Sequence, residues 1–149
     1  MRVTQENVVK DAEGRLWVQD FYIYVADFAA LAASASATVS LSVEADSTFV
    51  WTKAAYYADA NPIAAQTDST RVIPNVLVSI TDSGSGRNLQ NKPVPLNCYG
   101  GHDGLPFVLP VAREFKASSS INVSIVNVST VVFNNLKFCL IGYKKFLYR

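Results

Sequence analysis

Cysteine and histidine are nearly missing from this sequence, which has two Cys and one His in 149 residues. A protein-held metal needs several such ligands converging on one point, so a Cys/His centre does not organise this chain. Cys98 and Cys139 are also too few and too far apart for a disulfide scaffold. Both thiols are expected reduced and mostly buried, Cys139 within the apolar run Phe138 to Tyr143. An excess of charge of either sign is missing too. Thirteen basic against twelve acidic side chains leave +1, which gives no clustered Lys/Arg footprint for nucleic acid. Long hydrophobic runs are absent: Asp, Lys, Ser or Asn breaks each stretch far short of the ~20 residues of a spanning helix. Met1 to Gly14 carries scattered charges and no apolar core of a secretory signal. The expectations are synthesis in the cytoplasm and neither nucleic acid nor membrane as partner.

What the sequence does have is apolar content, half of its residues, arranged with a period of two. Such alternation puts every second side chain on one face of a strand. Val39, Leu41 and Val43 alternate with polar residues, and Phe49 to Trp51 resume after the break Ala45 to Ser47. Val76, Val78 and Ile80 end in Asp82-Ser83-Gly84-Ser85-Gly86, a run suited to a turn. Ile121, Val123 and Ile125 repeat the pattern. Two segments, Trp17 to Val25 and Leu136 to Ile141, are apolar on both faces, which predicts strands central in a core or covered by another subunit. Phe107 to Val111 adds a short extended segment, and Pro93 and Pro95 confine Val94 to an edge. The basic end, Lys144 to Arg149, reads as the end of an edge strand. Asp27 to Ala37 carries a helical suggestion, with a single turn or a packed loop as the alternative. The count is about eight strands with long connections, an all-β jelly-roll or Greek-key β-sandwich. It is expected as one domain over 15–149, preceded by an N-terminal arm over 1–14.

Catalytic patterns are thin. His102 lies in Gly100 to Gly104 beside Asp103, and pairing it with Cys98 would make a nucleophile and base. Such a pair needs an orienting group and an oxyanion hole, and a turn that tolerates His and Asp accounts for the loop. Ser83 to Arg87 lacks the Lys and the helix of a phosphate loop. Asn122 and Asn127 match the glycosylation pattern inside a predicted strand and are read as chance. No catalytic, metal or cofactor-binding residue is assigned, and the chain is read as not an enzyme. The tyrosines and tryptophans, among them Tyr56, Tyr57, Tyr148, Trp17 and Trp51, exceed what a monomeric core explains and point to subunit contacts.

Four blocks carry a resemblance: Phe49 to Lys53, Asp82 to Leu89, Leu105 to Pro110 and Ile141 to Lys144. Together, over about Gln19 to Phe146, they resemble a family of small tailed-bacteriophage virion proteins. The resemblance implies a jelly-roll capsid cement or decoration protein, often dimeric, that binds the major capsid protein on the assembled head. Candidate subunit contacts are Tyr22, Tyr24, Arg87, Asn88, Tyr99, His102 and Tyr143. Gly86 and Gly142 are expected to permit backbone geometry, Trp51 and Phe138 to fill the core, and Met1 to Lys10 to reach an adjacent subunit. The alternatives are a tail, connector or fibre-associated jelly roll, and, from another class, a carbohydrate-binding sandwich using Tyr99 with Asp103.

Overall fold

Alternation in the sequence becomes alternation in burial. In the computed structural model, which describes residues 8–62, 65, 66, 69, 71–100 and 105–147, Val76, Val78 and Ile80 are buried along one strand while Leu77, Ser79 and Thr81 are not. Ten strands form among the described residues: β1 Val8–Lys10, β2 Leu16–Asp27, β3 Ser36–Ser42, β4 Thr48–Asp59, β5 Val76–Asp82, β6 Arg87–Asn88, β7 Val94–Pro95, β8 Phe107–Phe115, β9 Ser120–Asn127 and β10 Asn135–Leu147. All pair antiparallel. One sheet runs β1-β2-β10-β4-β8; the other runs β3-β9-β5-β6, with β7 also pairing with β5. The protein is an all-β domain of two antiparallel sheets.

Between the sheets, Ile121, Val123 and Ile125 of β9 join Val76, Val78 and Ile80 of β5 against Phe49, Trp51, Phe138 and Leu140 of the facing sheet, all fully buried. Trp51 is the hub. Its ring lies 5.7 Å from Tyr99, 6.3 Å from Phe115 and 6.3 Å from Phe138, separations that suit offset and edge-on aromatic packing. The expected core roles of Trp51 and Phe138 hold.

Several expectations change. Strands β1, β6 and β7 are two or three residues long, too short for a periodic pattern, so the count exceeds eight. Val8 to Lys10 belong to a hairpin with β2 rather than to an arm. Asp11 holds that hairpin by accepting hydrogen bonds from Trp17 Nε1 (2.9 Å) and the Arg15 amide (2.8 Å). The Trp17 bond is the foremost cause that lowers its pKa to about 2. The expected arm over Met1 to Lys10 otherwise lies outside the described residues. Asp27 to Ala37 is not a helix: the Asp27 carboxylate bonds the Ala29 amide at 2.9 Å, closing a local turn, and Phe28 and Leu31 tuck into the core. The basic end is not on an edge strand, for β10 lies between β2 and β4. Cys98 is exposed, not buried, while Cys139 is half-buried and its thiol pKa is pushed up by burial.

Asp82 ties the sheets together at one end. On β5 of one sheet, it accepts from Arg113 Nη2 of the other at 2.8 Å, from Ser85 Oγ at 3.0 Å and from the Gly84 amide at 2.9 Å. Burial alone would raise its pKa, but these hydrogen bonds and the guanidinium outweigh it and hold the pKa below the ordinary 3.8. A depressed carboxylate contributes stability that is present above its unfolded pKa and is lost as pH falls through the folded value. Asp82→Asn is therefore expected to cost about 1.5–3 kcal/mol at pH 7. It should also flatten the decline in stability below about pH 4. Urea unfolding midpoints from pH 7 to pH 2 check both; an unchanged acid limb refutes the tether.

Candidate functional site: an apolar outer sheet face

On β2, aromatic side chains compete for both faces, and a buried cation decides the outcome. Lys144 of β10 points inward, lies 3.8 Å from the Tyr22 ring centre and 5.8 Å from that of Tyr24, and its Nζ pairs with Glu44 at 2.9 Å. Burial disfavours the ammonium, yet the Glu44 carboxylate and the two phenol rings outweigh it and raise its pKa above the ordinary lysine value. Tyr22, Tyr24 and Ala26 are thereby the inner set. Phe21, Ile23 and Val25 become the outer set, 74%, 40% and 42% exposed.

Register places these side chains in rows across the sheet. Phe21 lies beside Tyr143 and then Val50; Ile23 beside Ile141, Lys53 and Val108; Val25 beside Cys139 and Ala55. Val9 and Leu147 extend the exposed apolar area towards β1. Charges lie within it and at its border: exposed Lys53 stands in the Ile23 row and exposed Glu114 next to Val50. Lys137 pairs with Asp27 at 3.8 Å, and Lys145 lies 4.7 Å from the Trp17 ring.

The face is dented where β10 and β4 slip register between Ile141 and Gly142, leaving Thr52 as the extra residue of a bulge. The Thr52 hydroxyl donates to the Ile141 carbonyl at 3.2 Å. A groove of about 340 Å³ opens there, lined by Gln19, Phe21, Thr52, Lys53, Ile141, Gly142 and Tyr143. Gly142 is required by close approach: an added Cβ would collide with the Val50 carbonyl.

The outer face of the other sheet is of a different kind. Thr38, Ser124 and Ser79 form one row, and Ser40, Asn122, Thr81 and Asn88 the next. Thr38 Oγ1 and Ser124 Oγ are 2.9 Å apart, and the Thr81 hydroxyl donates to Asn88 Oδ1 at 2.7 Å. These rows are uncharged and hydrophilic; the row before them, Ser36, Val126, Leu77 and Pro95, is mostly apolar.

Of the residues singled out from sequence, Tyr143 lies on the apolar face, and Arg87 and Asn88 are exposed on β6, remote from it in the other sheet. Tyr24 is buried and Tyr22 half-buried beside Lys144, both on the inner side of β2. Tyr99 packs on Trp51 and Phe138, and its hydroxyl donates to Gln90 Oε1 at 3.1 Å. That ring is half-buried against the core and also lines a shallow surface pocket with Trp51, Leu89, Leu109, Val111 and Arg113. His102 and Asp103 lie outside the described residues. Asn127 is buried, its amide donating to Ala32 O and Val131 O, which closes it to modification. Phe21, Ile23, Val25 and Val108, exposed on the apolar face, are not among the residues singled out from sequence; the available signal was the two-faced apolar content of β2.

Among the described residues, no group of three or more His, Cys, Asp or Glu side chains is placed to hold a metal, and no helix is long and apolar enough to cross a membrane. The chain matches no protein-family model and no curated protein sequence.

Proposed function

We propose that this protein is a structural component of a tailed-bacteriophage virion, a jelly-roll cement or decoration protein that docks on the outside of the head and ties neighbouring major capsid proteins together. The observation that carries the reading is the contrast between the two outer faces, one mostly apolar and grooved, the other lined mainly with hydroxyls and amides beside a short apolar row. A monomer in water has no use for an exposed apolar sheet, and a protein fixed to a larger surface needs one face for the surface and one for solvent. The apolar face takes the capsid; the hydroxyl face points away. Strand order supports the jelly-roll part of the reading. Leaving aside β1 and β7, the sheets are β2-β10-β4-β8 and β3-β9-β5-β6, with successive long strands crossing from one sheet to the other. Many copies, each held by modest contacts, would reinforce a shell through multivalency.

The test is binding to cognate heads assembled without the protein. Wild-type chain is expected to add to them, and Phe21→Asp, a change at an exposed ring, to bind at least about 30-fold more weakly while keeping its circular dichroism and melting temperature. That factor corresponds to a hot-spot loss of ~2 kcal/mol. Failure of the wild type to bind heads, with binding to tails or connectors instead, replaces the cement reading with a tail one. Equal binding by Phe21→Asp removes the face from the interface.

A further inference from the structure

Sheets end in edges whose free N–H and C=O groups can recruit another strand, and proteins usually guard them with short strands, charge, proline or a bulge. Three of the edges here are guarded. β1 spans three residues, and the stretch of β2 it leaves without a second partner among the described residues, Gln19 to Asp27, carries Asp20 and Asp27; β6 and β7 span two each, with Pro95 in β7. β8 carries Pro110, Arg113 and Glu114 and loses register against β4. The fourth, β3, has none of these defences. It runs for seven residues, Ser-Ala-Thr-Val-Ser-Leu-Ser, without charge, proline or glycine, and among the described residues it pairs with β9 alone, in unbroken register on one side. Burial also stops short there. The inward residues of β9 and β5 are fully buried, whereas Ala37, Val39 and Leu41 of β3 are only partly so, at a border where no strand among the described residues hydrogen-bonds to the far side of β3.

We propose that β3 is the seam of a homodimer, joined to β3 of a second copy in antiparallel register about a two-fold axis at Val39. The strand is self-complementary in that arrangement. Ala37 faces Leu41 of the second copy and Val39 faces its own equivalent, apolar against apolar on the inner side. Ser36 faces Ser42 and Thr38 faces Ser40 of the second copy, hydroxyl against hydroxyl on the outer side. No like charges meet, and each β3 gains the flank it lacks. The two copies then share one continuous sheet, β6-β5-β9-β3 running into β3-β9-β5-β6. A foreign strand of arbitrary sequence would not find this pairing on both faces at once. The seam leaves the apolar face of the other sheet free, so the inference goes beyond the docking reading and stands or falls apart from it.

The experiment is the solution mass of the full chain by sedimentation at tens of micromolar. The wild type is expected at twice the 16.2 kDa of one chain. T38K/S40K sets lysine against lysine across the axis and is expected to halve the mass with unchanged circular dichroism. T38K/S40E sets lysine against glutamate twice and is expected to restore it. A monomeric wild type, or a dimer that survives T38K/S40K, overturns the seam; so does a dimer lost on Phe21→Asp but not on T38K/S40K. Failure of T38K/S40E to restore the dimer overturns the register at Val39. If the lysine variant does not fold, hydrogen exchange of the wild type decides: β3 amides protected at high concentration and released on dilution support the seam, and protection independent of concentration refutes it.

Discussion

Replacing Gly142 with alanine is expected to destabilise the protein by about 3 kcal/mol or more, at the upper end of overpacking costs. The reason lies in what the new methyl would meet. At this point of β10 an added Cβ would strike the carbonyl carbon and oxygen of Val50 and lie 3.1 Å from Trp51 Cα. These are backbone atoms of the neighbouring strand, so no side-chain rotation relieves the contact, and β10 and β4 would have to part at the bulge. Gly86 supplies the control. Its φ is +69° and nothing lies within 4 Å of an added Cβ, so Gly86→Ala should cost only the backbone term of about 1 kcal/mol. Chemical denaturation of the two variants side by side separates the causes. Similar small losses at both positions would mean that the strands are not held this close.

Trp51→Ala is expected to cost about 4 kcal/mol, within the range for removing a large aromatic side chain from a core. Trp51 is 1% exposed, touches Tyr99, Phe115 and Phe138, and donates from Nε1 to the Lys53 carbonyl at 2.6 Å. Truncation would open a cavity walled by three rings and leave that carbonyl with one partner fewer. Trp51→Phe should recover most of the packing. The second tryptophan, Trp17, is bonded to Asp11 near the β1–β2 turn, so the fluorescence lost in Trp51→Phe isolates the core signal. A loss below about 1 kcal/mol in Trp51→Ala would contradict the hub described for Trp51.

Strands with one polar face were legible in the sequence. In β3, β5 and β9 the apolar set could point only one way, and the residues read as a core from their alternation, Val76, Val78, Ile80, Ile121, Val123 and Ile125, are all buried. β2 was legible as a strand but not in its facing. Phe21 and Ile23 compete with Tyr22 and Tyr24 on equal apolar terms, and Lys144, more than a hundred residues later, settles the choice. No local pattern contains that information. The same holds for the groove on the apolar face, since its bulge depends on how β10 meets β4, and for the Asp82–Arg113 tether, whose members sit on different sheets. The facing of the tyrosines was not legible either, because a phenol can also pack against the core where a cation takes its ring or an amide its hydroxyl, as at Tyr22 and Tyr99. Neutrality of an edge strand, by contrast, is written plainly in Ser36 to Ser42, but it acquires meaning only when the topology puts that strand at a border.

The placement of β9 and β10 sets when this molecule can fold. β9 is the strand between β3 and β5, and β10 the strand between β2 and β4, so both sheets lack their middle until residues 120–147 have left the ribosome. Before then β2, β3 and β5 have no long neighbour to pair with in their own sheets, and β4 has only β8, on the side away from β10. Such long-range closure is slow and leaves the unfinished chain prone to association. Folding is thereby deferred to the final stretch of synthesis, and a chain halted before Ser120 would be material for chaperones rather than a partial sandwich.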